Sequence, residues 1–183
     1  MPVILLLKGS GQTGLFIAGY RVMKTRVNAI ISSLQETLGG QPWYGKPIYN
    51  ILEETDPSVT NVATGDHPHT ALALVYHMLT WTEFTLARVR GEKIDDMQKF
   101  ESLDWREIDP QIHGWEEALV LFKTTNNELL LALETFTDED LSRTVDYRDY
   151  NFDQLLNGII QHHIYHAAQV NFINKSHTTG IIP

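Results

Sequence analysis

Three histidines fall where a helical core would place leucines. Residues 151–175 read NFDQLLNGIIQHHIYHAAQVNFINK, with Leu155, Ile159, Val170 and Ile173 on one stripe. That spacing marks the buried face of a long helix. His162 and His166 occupy the same stripe four residues apart, so both rings leave the helix on one side, one turn apart. Buried imidazoles without a partner are costly. A metal ion suits the geometry, because neutral imidazole nitrogen is a common ligand. His77 interrupts a second stripe, Leu74, Trp81 and Phe84, on a helix expected over 68–90. Taken singly, it also reads as a core histidine satisfied by a hydrogen bond. In a bundle, facing helices can bring it against the other two. Three imidazoles leave a coordination position open, the arrangement of catalytic rather than structural sites.

Other readings of the histidines fit less well. The zincin pattern H-E-x-x-H fails because His163 stands where the glutamate would. His163 lies about 100° around the helix from His162 and is expected at the surface or behind the ligands. A di-iron carboxylate centre requires Glu-x-x-His on two helices, and no glutamate precedes His77, His162 or His166 by three. A bis-histidine haem would leave one of the three unused. The chain has no cysteine, so it has neither disulfides nor a thiolate of its own. Asn126 is the one polar member of the stripe Trp115, Leu119, Phe122, Leu129, Leu133 and Phe136. It could hydrogen-bond a metal-bound water or a ligand histidine, or fix helix register. Gln169, Tyr165 and Trp81 are further candidates for orienting what binds, packing being the alternative.

The elements that must position these residues are helical. Met23, Val27, Ile30, Leu34 and Leu38 pattern a first helix ended by Gly39-Gly40. The loop QPWYGKP carries Trp43 and Tyr44, which either close one end of the core or cover a pocket. A short helical piece over 48–54, the helix at 68–90, a long charged connection over 92–112 and a helix over 115–136 precede the last helix. This is an all-α four-helix bundle. At 183 residues it forms one domain, assigned to 23–177 with a tail at 178–183. Residues 1–22 do not fit the pattern and are expected to be a peripheral or mobile extension. There Gly9, Gly11 and Gly14 spell a dinucleotide fingerprint, but no second strand or alternating β-α pattern supports it. No apolar run is long enough to span a bilayer. The formal net charge of −9 argues against a nucleic-acid or membrane partner, and the missing cysteines fit a reducing cytoplasm.

The stretches YNFDQLLNGIIQHHIYHAAQV, HTALALVYHMLTW and GGQPWYGKPIYNILEE together resemble the last helix, second helix and first loop of the DinB/YfiT-like family. The likeness runs over about 23–175. It implies an up-down-down-up bundle with a divalent metal, zinc or nickel most often, on three histidines. Carried over, these are His77, His162 and His166. It further implies a homodimer and an enzyme acting on a small-molecule substrate. That enzyme would be a transferase using a low-molecular-weight thiol as cosubstrate, or a hydrolase. The alternative is a non-catalytic, metal-stabilised bundle serving as a binding or dimerisation module.

Overall fold

Helix α6, Phe152–Thr178, is the longest element and carries two of the three histidines. Asn151 caps it, its side-chain oxygen accepting the Gln154 N–H at 3.0 Å, as a short polar side chain at a helix start commonly does. The computed structural model describes residues 16–17, 20–21, 24–65, 68–92, 97–109 and 111–178. The other helices are α1 (Thr25–Gly39), α2 (Ile48–Glu53), α3 (Ala71–Val89), α4 (Met97–Leu103) and α5 (Trp115–Leu133). Phe16–Ile17 and Tyr20–Arg21 form a minimal antiparallel strand pair. The rest of the expected extension, its glycine fingerprint and the tail beyond Thr178 lie outside the described residues.

The fold is all-α, and α3 is its centre. Sixteen of its residues are buried, so it is covered on every side, as expected of a helix that is apolar all round. It packs chiefly against α5 and α6. Thr70 caps α3 by accepting the Ala73 N–H at 3.2 Å. Pro68 therefore lies before the helix rather than in its first turn. At α1 the cap comes from far along the chain. The Asp138 carboxylate accepts the Arg26 and Val27 N–H groups, each at 3.0 Å, placing negative charge on the positive helix end. At the other end of α1, a side chain on Gly40 would put its Cβ 2.7 Å from the Glu36 Cα. Glycine is required there by close approach, not by a left-handed turn, since its φ is −86°.

Two expectations change. The connection over 92–112 contains a helix, α4, whose Phe100 is buried and meets Phe84 edge-on at 5.4 Å. Trp43 is 101% exposed and closes nothing. Tyr44 borders a cavity of about 380 Å³ with Ile164, Ala167 and Asn171 of α6. That face is opposite the one bearing His162 and His166, so this loop is no cover for the histidines.

Candidate metal centre

One ligand atom from each of His77, His162 and His166 lies within 4.8 Å of the other two. His77 comes from α3 and the other two from adjacent turns of α6. Ring centroids stand 4.8 Å apart for His77 and His162, 4.6 Å for His77 and His166, and 4.5 Å for His162 and His166. His77 and His166 are each 6% exposed, while His162 is half-buried. The nitrogens of a tetrahedral zinc site stand about 3.4 Å apart at the usual Zn–N length. Side chains that already converge would close on an ion by up to about 1.4 Å to reach it.

The far sides of two rings are held. The His77 Nδ1–H lies 2.8 Å from an Asp104 carboxylate oxygen and 3.1 Å from the Asp104 carbonyl oxygen. The Trp81 indole N–H donates to the same carboxylate oxygen at 2.6 Å. His166 Nδ1–H donates to the Gln169 side-chain oxygen at 2.6 Å. With Nδ1 protonated on both, Nε2 is the free lone pair, the tautomer that a metal-ligating histidine with an outer partner adopts. His77 Nε2 therefore accepts from His162 Nε2–H at 2.8 Å, and the buried His162 Nδ1 is left without a partner. Burial pushes the His162 pKa down to about 2, helped by the neighbouring imidazoles. Burial takes His166 to about 4, opposed by Gln169. It also lowers His77, opposed by Asp104. Three neutral imidazoles converging in this way can hold a metal ion once the His162 proton stands on Nδ1, which has no other partner, and frees Nε2.

Aromatic rings wall the centre on one side. The Trp105 ring stacks on His77 with centroids 3.8 Å apart at 8°, and His69 stacks on its other face at 3.6 Å and 11°. The Tyr165 ring meets His166 edge-on at 4.9 Å and is 63% exposed.

The family model for the DinB superfamily matches residues 48–170, a stretch that includes all three histidines. The chain belongs to the DinB superfamily. In structure it is similar to the colibactin self-resistance protein ClbS, solved in complex with double-stranded DNA. The TM-score is 0.59 at 15% identity, over 81% of this chain and 95% of that one. At that identity the likeness shows the DinB fold alone. No curated protein matches the sequence.

These comparisons correct two expectations for this DinB protein. The thiol transferase or hydrolase reading is overturned. The structural relative is named for self-resistance and was solved on duplex DNA, and the family match carries no reaction. The exclusion of nucleic acid as a partner falls with it, because a bundle of this fold is found on a duplex. A net charge of −9 sums over the whole surface, whereas binding is set by the local field at the contact.

Two further polar residues are buried beside the centre without joining it. His163 is fully buried, with its Nε2–H donating to the Thr82 hydroxyl at 3.2 Å and its Nδ1 unpartnered. The buried face of α6 is broad because α3 and the α1–α2 layer both cover it. Asn126 is buried too, but it donates to the Phe122 carbonyl oxygen at 2.8 Å and makes no hydrogen bond to the three imidazoles. The helical spacing marks none of Asp104, Trp105 and His69. The first two form an aspartate-tryptophan pair inside a charged connection, and His69 opens the stretch HTALALVYHMLTW.

Proposed function

We propose that this DinB protein is a non-catalytic binding module whose bundle is held by one divalent cation on His77, His162 and His166. Convergence of the three neutral imidazoles supports this reading. Bound there, the cation would tie α3 to α6 and leave a coordination position for a donor atom of a ligand. The protein's own contribution is orientation: Asp104 and Gln169 hold the outer nitrogens of His77 and His166 so that the inner ones face one point. Zinc or nickel suits an all-imidazole donor set. A homodimer in a reducing cytoplasm belongs to the same proposal, the first from the resemblance and the second from the lack of cysteine.

The test is metal content and stability of the full chain, purified metal-free and then loaded with zinc or nickel. One ion per chain is expected, with a gain of about 2.7 kcal/mol at a hundredfold excess of free metal over Kd. His77→Ala and His162→Ala should each abolish both. An unchanged melting temperature on loading would overturn the reading. Duplex DNA is a second candidate partner, favoured by the complex of the structural neighbour. Anisotropy of a labelled duplex, followed at rising salt, should then show affinity falling steeply with ionic strength.

A further inference from the structure

Gly158 sits inside α6, where glycine is destabilising by about 0.5–1 kcal/mol relative to alanine. Nothing in the backbone asks for it, since among the described glycines only Gly45, Gly65 and Gly91 have a positive φ. Nothing packed against it asks for it either, because an added Cβ would meet no atom within 4 Å. The space that a side chain would enter is a groove of about 290 Å³ between α3 and α6. Trp81, Phe84, Leu155 and Ile159 wall the groove, and His162 lines it as well. Among the described residues no charged side chain lines it, the remaining lining residues being Thr85, Tyr150 and Gln154, while the Arg88 and Arg148 guanidinium groups lie 5.0 and 5.3 Å from the Phe84 ring centroid. The Thr85 hydroxyl donates inward, to the Trp81 carbonyl oxygen at 2.8 Å. A volume just below the usual range for small-molecule sites suits a single ring system.

We propose that this groove binds an uncharged, apolar ring-bearing ligand and delivers an electron-pair donor on it to the three-histidine centre, with Gly158 keeping the groove open. The donor end rests on the metal-binding reading above, whereas the apolar end does not. Two residues join them. His162 belongs both to the groove and to the cluster, and Trp81 belongs both to the groove wall and to the Asp104 contact that holds His77. A ligand seated in the groove would thereby lie beside His162 and within reach of a cation held by the three histidines. The uncharged walls would penalise a charged group taken out of water.

The experiment uses full-length protein loaded with Co²⁺, whose visible absorption reports a new ligand. Imidazole and 4-phenylimidazole, which share a donor and differ by an apolar ring, are titrated in turn. The phenyl compound is expected to bind at least tenfold more tightly. Gly158→Leu should bring that ratio close to one while the cobalt content stays the same. Gly158→Ala, which fills less of the groove and favours the helix, should fall between and guards against misfolding of the leucine variant. Equal affinities in the unsubstituted protein, or a ratio untouched by both substitutions, would overturn the proposal. A parallel titration of metal-free protein with toluene, followed by the methyl resonances of Leu155 and Ile159, separates the two readings. Shifts there with no cobalt uptake sink the metal reading and support the groove. Cobalt uptake with no phenyl preference and no shifts sinks the groove and leaves the metal reading standing.

Discussion

A carboxylate behind an imidazole does more than hold it in place. Asp104 bonds the His77 Nδ1–H, which fixes the tautomer and makes Nε2 a better donor. Trp81 in turn holds the same carboxylate oxygen, so the aspartate is not free to swing away. Removing such an outer partner commonly costs 10–100-fold in metal affinity. Asp104→Ala should therefore weaken zinc binding by about that factor in competition with a chelator, while the fold stays intact by circular dichroism. Trp81→Phe, which removes only the indole N–H, should cost less. Wild-type affinity in Asp104→Ala would show that the contact has no bearing on the metal.

The helices obey simpler rules than the site they carry. Since an added Cβ at Gly158 meets nothing, Gly158→Ala should stabilise α6 by about 0.5–1 kcal/mol, which is roughly 1–4 °C in melting temperature for a chain of this size. A lower melting temperature would mean that the space beside Gly158 is not open. The four long helices were legible because their apolar spacing repeats: Val27, Ile30, Leu34 and Leu38 are buried on α1, and Leu119, Phe122, Asn126 and Leu129 on α5. The histidine triad was legible for the same reason, since each ring takes a core position. What escaped was carried by contacts without a period. Asp104 reaches His77 from 27 residues away, through a connection whose charges hid α4. Asp138 caps α1 from 112 residues away, and nothing local marks it. His163 escapes a narrow-stripe reading because several neighbours cover the helix that carries it.

At the scale of the whole molecule, the neutral histidines tie stability to pH. Burial holds His162 at about 2, His163 at about 3 and His166 at about 4, against about 6.5 for an exposed imidazole. The sign follows from which state takes up protons. Above pH 6.5 neither folded nor unfolded chains bind a proton at these sites, and the full stability is present. As pH falls below 6.5 the unfolded chain becomes protonated while the folded one stays neutral, so stability drops with each step of acidification. The loss ends only near the folded values. By pH 5 the effect is about 1–2 kcal/mol per buried histidine. The urea midpoint of metal-free protein should therefore fall steadily from pH 7 to pH 5. His163→Leu, which removes a buried imidazole outside the metal set, should make that fall shallower by about one proton. A midpoint flat across this range would mean that the imidazoles are not held neutral, and the donor set for a cation would lose its basis.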